Sequence, residues 1–278
     1  MKLAVSNIAW EHAQFTEHLA LIRALGCDGV ELAPSCIWPE PVDVEAGERS
    51  RIARLIRSHD LELTGFHALL YTRPDLQLFK DRAGLRATTA YLRGLVRLCA
   101  DMGGSLLVFG SPKNRVMYGR SESECFAWAA DAFARAAHEG ERAGVTICIE
   151  PLGPTETQFI RSSEEGMRLV RLVNHPRFAL HLDAKAMVGA GEAIDAVCAL
   201  YGDHIRHFHV GDPGLAPPGS TGVDHRPFGA ALRRIGYRRY ISIEMRRGFG
   251  PSREVIRTSI EYVRRCYLAS SDVEHATP

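Results

Sequence analysis

The sequence predicts a single closed (β/α)8 barrel, on three observations. Short apolar runs alternate with longer amphipathic stretches from one end of the chain to the other, the order that builds βα units around a parallel sheet. No Pro/Gly/Ser-rich linker divides the 278 residues. The runs number eight, and eight repeats in a chain of this length fit a closed barrel better than an open doubly wound sheet.

In order, the first strand is 2–6 (KLAVS), followed by a helical pattern near 12–25. The second is 28–32 (DGVEL) with a helix near 47–59, and the third 61–67 (LELTGFH) with a helix near 82–101. Strand four, 105–110 (SLLVFG), precedes a helix near 121–142, where Ser121 and Glu124 have the spacing of a capping box. Strand five, 145–150 (VTICIE), is stopped by Pro151, because proline cannot continue a central ladder. Its helix, near 163–173, opens with Ser162 or Ser163 ahead of Glu164 and Glu165. Strands six to eight are 178–183 (FALHLD), 205–210 (IRHFHV) and 240–244 (YISIE), with helices near 190–201, 228–235 and 253–267. The barrel domain is therefore 1–268, and 269–278 (ASSDVEHATP) is expected to be an unstructured tail.

Composition narrows the partners. Lys plus Arg (34) nearly cancels Asp plus Glu (33), so no field of one sign draws in nucleic acid or anionic lipid, and a small-molecule substrate is favoured. The seven cysteines are scattered, odd in number and free of any Cys-x-x-Cys pair. That argues against a disulfide framework or a structural zinc site and for a reducing cytoplasm. The N-terminal apolar run is too short for a signal peptide, and no window reaches the roughly 18 apolar residues of a membrane span.

In such barrels the active site is built at the carboxyl ends of the strands. Strands five to eight each end in a residue able to bind a metal: Glu150, Asp183, His209 and Glu244. Side chains alternate along a strand. The residues of opposite parity (Ile147 and Ile149, Leu180 and Leu182, Phe208 and Val210, Ile241 and Ile243) are apolar and suited to face helices. The four polar ends then point into the barrel with Thr146, His181, His207 and Ser242. Three carboxylates and an imidazole on one rim repel one another unless a divalent cation neutralises them. Mostly oxygen donors suit Mn²⁺, Mg²⁺ or Co²⁺ at least as well as Zn²⁺, and Mn²⁺ is the favoured ion.

With these residues in place, the chain resembles the xylose isomerase-like TIM barrels, the sugar phosphate isomerase/epimerase superfamily. The likeness runs through DGVELAP (28–34), IEPL (149–152), LHLDAKAM (180–187), HFHVGD (207–212), GVDHRPFGAALRRIGY (222–237) and SIEM (242–245). It implies that Glu150, Asp183, His209 and Glu244 hold the metal. Glu150 and Glu244, on opposite sides of a bound sugar, would exchange a proton with a carbon beside the carbonyl. A ketone α-C–H is too weakly acidic for an unaided carboxylate, so the ion is expected to stabilise the enediolate. Barrels of this kind often dimerise, so the resemblance admits a homo-oligomer. Two departures from the family pattern alter the usual sugar contacts: Ala186 stands where a substrate-binding His is common, and Gly153 where an Asn is common.

Other candidates carry a plainer alternative. His67, ending strand three, reads as a general acid or substrate donor, or as structural. Lys185 has the parity to reach the site and polarise a carbonyl, or it is a solvated loop lysine. Lys113, in the loop with Asn114 and Arg115, and Arg246, beside Arg247, suit an anionic group on the substrate, though charged rim loops are commonly just solvated. Trp10 and Trp38 follow strands one and two and suit an apolar wall for a sugar face, or rim packing.

The expected activity is a metal-dependent sugar isomerase or epimerase. A lyase expelling a group β to the carbonyl could use the same centre. An endonuclease IV-like nuclease is disfavoured by Phe109 and Ala186 where that site needs histidines, and by DHR (224–226), which lacks the Asp-x-His spacing. A binding protein on a barrel scaffold is opposed by the intact ligand quartet.

Overall fold

The computed structural model describes residues 1–269. The expected tail lies outside the described residues apart from Ala269. Eight parallel strands close on themselves in sequence order, and β8 pairs back to β1 with Leu3 opposite Ile241 and Val5 opposite Ile243. They are β1 (Lys2–Ser6), β2 (Gly29–Leu32), β3 (Glu62–Phe66), β4 (Leu106–Phe109), β5 (Thr146–Ile149), β6 (Phe178–Asp183), β7 (Ile205–Val210) and β8 (Tyr240–Ile243). Around them lie α1 (Phe15–Ala24), α2 (Ala46–Ser58), α3 (Arg82–Asp101), α4 (Glu122–Ala143), α5 (Ser163–Val173), α6 (Ala184–Ala190), α7 (Ile194–Tyr201), α8 (Arg226–Arg234) and α9 (Ser252–Val263). No helix among the described residues is long and apolar enough to cross a membrane.

The period-two pattern places the layers. Ile147, Ile149, Leu180, Leu182, Phe208, Val210, Ile241 and Ile243 are all buried in the layer between barrel and helices. The lumen takes the alternate set, with Glu31, Cys148, His181, His207 and Ser242 fully buried. Helix signals act as read: Ser121 and Glu124 form a reciprocal capping box on α4, and the Ser162 hydroxyl accepts from Glu165 N.

Two local readings change. The sequence places one helix near 190–201 after strand six, whereas α6 starts directly after Asp183 and α7 follows it. That carboxylate accepts the Lys185 N–H at 2.8 Å and so caps a run of good helix formers, which Gly191 ends at φ 67°. His67, Glu150 and Glu244 each fall one residue past the last ladder residue. They are still tied to the neighbouring strand, since their N–H groups donate to Leu32 O (2.9 Å), Phe109 O (3.1 Å) and Val210 O (3.0 Å). Their side chains are therefore fixed by barrel backbone rather than by loops.

The loop after β7 is anchored from within. Buried Asp212 accepts from Gly219 N (3.0 Å) and Thr221 N (2.8 Å), and His225 bridges it to the Tyr267 hydroxyl.

Candidate metal and catalytic centre

Carboxylate oxygens of Glu150, Asp183 and Glu244 lie within 4.8 Å of one another at the carboxyl end of the barrel. His209 completes the group, with Nδ1 3.3 Å from Glu244 Oε2 and 3.9 Å from Glu150 Oε1. The four residues singled out on β5 to β8 thus lie together at the barrel mouth, three acids in one cluster and His209 against two of them. Crowding sets the approach: a Cβ at Gly110 would lie 2.1 Å from Glu150 Oε2 and would displace that carboxylate from its present position.

The donor set fits a hard divalent cation. Asp183 Oδ2 and His209 Nδ1 are buried without a hydrogen-bond partner, and three acids with one imidazole supply the oxygen-rich shell that Mn²⁺ or Mg²⁺ takes. The electrostatics report the same crowding. Burial, reinforced by the Glu244 charge, pushes Glu150 up to about 8. Burial raises Asp183 too, against the pull of Lys185. Burial acts on Glu244 in the same sense, but His209 and His67 outweigh it and hold that carboxyl well below the usual range.

Beneath the centre lies an acid that is not among the site residues the sequence singles out. Glu31, on β2 and fully buried, has Oε2 3.0 Å from His209 Nε2 and Oε1 3.1 Å from His207 Nε2. These contacts overcome the burial that opposes its charge and keep it well below the usual carboxylate range. A carboxylate only accepts, so His209 Nε2 carries the hydrogen and Nδ1 is turned to the acid cluster, the arrangement that orients metal-binding histidines. His181 and His207 are driven towards the neutral form chiefly by burial. The sequence did hold a signal for Glu31: an acid flanked by Val30 and Leu32 in a strand, with inward parity. Glu31→Gln is expected to weaken Mn²⁺ binding about 10- to 100-fold, measured by titration calorimetry. Unchanged affinity would reduce Glu31 to a packing role.

His67 Nδ1 stands 3.0 Å from Glu244 Oε1, and its Nε2 is held by the Ser6 hydroxyl. It fixes the orientation of Glu244. Lys185 reaches the centre from the first turn of α6, with Nζ 3.5 Å from Asp183 Oδ2 and 3.1 Å from Glu156 Oε1. These acids outweigh its burial and keep it charged. Lys113 lines the cavity that opens outward from Glu150 and Glu244. Arg115, two residues on, is fully buried and donates from Nη1 to the Glu150 carbonyl at 3.0 Å, pinning the end of β5.

Three expected contacts are not brought to the cavity. A turn at Asn7–Ala9 carries Trp10 back onto α1, where it stacks on His18 with ring centroids 5.1 Å apart. A second turn, Pro34–Cys36, delivers Trp38 to α2, where its Nε1 donates to Glu48. Arg246 is exposed, lies over the Phe249 ring and donates to Gly214 O. For the two tryptophans the chain turns directly after the strand, so position beside a strand end does not imply aim at the lumen.

A cavity of about 230 Å³ opens outward from Glu150 and Glu244 past Lys185, between the loops that follow β3, β4, β5 and β7.

A family model described as the xylose isomerase-like TIM barrel matches residues 19–266. An L-ribulose 3-epimerase from Methylomonas sp. (strain DH-1) is 26% identical over 237 residues, covering 84% of this chain and 79% of the relative. A D-psicose 3-epimerase from Ruminiclostridium cellulolyticum is 24% identical over 253 residues, 88% of this chain and 83% of the relative. The solved structure of D-psicose 3-epimerase with D-tagatose from Clostridium cellulolyticum H10 has the same fold. Its TM-score is 0.81 at 18% identity, over 96% of this chain and 99% of that one. Since the matched stretch runs from within α1 to beyond α9 and contains every strand of the acid cluster, the chain belongs to the xylose isomerase-like TIM barrel family.

Proposed function

We propose that the protein is a divalent-metal-dependent ketose or keto-sugar epimerase that inverts a carbon next to the carbonyl through an enediolate. The observation that carries this reading is the placement of two glutamates, Glu150 from β5 and Glu244 from β8, around one acid cluster at the mouth of the barrel. The two relatives that act as ketose 3-epimerases support it.

Glu150, Asp183, His209 and Glu244 would hold the ion, with Mn²⁺ favoured. When bound, the cation supplies positive charge against the negative charge that develops on the substrate oxygens. The remaining work belongs to the chain. One glutamate takes the proton from the carbon beside the carbonyl, the C–H electron pair moves into the enediolate, and the opposing glutamate returns a proton to the other face. His67 holds Glu244 in line, and Arg115 fixes the backbone of Glu150. Lys185, charged and beside the cluster, donates to the substrate carbonyl or a neighbouring hydroxyl. The seven cysteines are all free, in keeping with a reducing cytoplasm.

The test is incubation with D-psicose and with L-ribulose in D₂O and Mn²⁺, followed by NMR. One deuterium at C3 and formation of the 3-epimer are expected. An eliminated product in place of the epimer would make the protein a lyase, and no exchange into either ketose or into 6-O-benzyl-D-psicose would overturn the reading.

A further inference from the structure

We infer that the preferred substrate is a keto-sugar bearing an apolar substituent on its non-reacting end, rather than a free ketose; this rests on the epimerase reading above. The cavity divides by chemistry. Its inner end carries Glu150, Glu244 and the Lys185–Glu156 pair. Its outer part is walled by Leu70, Tyr71, Pro74, Pro112, Leu152 and Leu215.

A free ketohexose carries a hydroxyl on each carbon beyond the reacting pair, and each one buried without a partner opposes binding. The outer wall offers few partners. Asn114 spends its amide hydrogens on Arg73 O (2.7 Å) and Leu76 O (2.6 Å). Glu156 is committed to Lys185. Ser111 Oγ, buried and without a partner, the Lys113 ammonium, which has no ionic partner among the described residues, the Asn114 side-chain carbonyl and the solvent-exposed Tyr71 hydroxyl are what remain. A hydroxyl that meets Leu70, Pro112 or Leu152 instead of one of these groups loses its water without a replacement, whereas an alkyl or aryl substituent needs no partner.

Backbone conformation marks this wall as a ligand site. Ala68, Ser111 and Leu215, all lining the cavity, hold left-handed φ values of 49°, 35° and 55°. Non-glycine residues rarely adopt that region, and such strain gathers at ligand sites. At Leu215 it is sustained by the Asp212-anchored loop and places a leucine, with no hydrogen-bonding capacity, on the cavity wall. Tyr71, 79% exposed, adds an aromatic side chain to the rim of the cavity.

The experiment compares D-psicose with 6-O-benzyl-D-psicose, which keeps the carbonyl at C2 and the exchangeable hydrogen at C3. Deuterium exchange is followed by NMR on the Mn²⁺-loaded protein. For the benzyl ether, kcat/KM is expected to be at least about tenfold higher, the range over which apolar pockets discriminate. That ratio should fall towards one in Tyr71→Ala and in Leu215→Ser, with circular dichroism confirming the fold of each. Equal or better use of D-psicose by the unmutated protein would overturn this inference and leave the epimerase reading standing. Exchange into neither sugar would overturn that reading and this inference with it.

Discussion

Glu150→Gln and Glu244→Gln are each expected to abolish inversion, lowering the epimerisation rate by about 10²- to 10⁴-fold, the usual contribution of a positioned proton-transfer group. The pattern of residual exchange is more telling than the loss. With one glutamate replaced, the survivor still faces one side of the carbon. It can remove and return a proton there, so deuterium should enter one epimer without inversion and leave the other untouched. The second variant should show the opposite preference. A single base serving both faces would behave differently, with one variant losing exchange in both epimers and the other retaining turnover. Glutamine keeps one oxygen of each carboxylate and its approximate volume, so metal content is measured in parallel by mass spectrometry. Equal exchange into both epimers by either variant would remove that residue from proton transfer.

How much of this centre was legible follows from what a strand pattern encodes. Parity and a terminating proline place Glu150, and the same alternation places Asp183, His209 and Glu244, because each lies in or one residue beyond a strand whose apolar partners must face helices. The structure brings those four together. What the pattern lacks is the direction of the chain after the strand. Trp10 and Trp38 sit beyond turns that bend towards α1 and α2, so their proximity in sequence to strand ends misleads. Lys185 reaches the cluster, yet from a helix that Asp183 itself caps, not from strand parity. Glu31 belongs to the opposite kind of omission. Its alternation was readable, but its role depends on lying across the lumen from His207 and His209, a contact between residues 176 and 178 positions away that no local pattern shows. By sequence Arg115 belongs to a basic rim cluster. Instead it is fully buried, because the loop folds inward to meet the Glu150 carbonyl.

Removing divalent metal is expected to eliminate turnover and to destabilise the fold, and the second effect follows from the acid cluster alone. Glu150, Asp183 and Glu244 share one small volume with Glu31 directly below, while His209 and Lys185 are the cations in contact with them. Burying like charges is costly, and the strain shows in Glu150, which burial and the Glu244 charge push to about 8. An ion bound only by the folded chain shifts the equilibrium by mass action. At 100 times its dissociation constant the gain is about 2.7 kcal/mol, roughly 5 °C or more in Tm for a chain of this size. Dialysis against EDTA should therefore lower Tm by that amount and reduce exchange to background, and Mn²⁺ should restore both. Asp183→Asn separates the two causes of stability. It relieves part of the repulsion and removes a ligand charge, so the metal-free variant should melt no lower than the metal-free parent while its response to Mn²⁺ shrinks. An unchanged Tm and undiminished exchange after verified removal of metal would mean that the four side chains serve as a hydrogen-bonded cluster, with no cation at their centre.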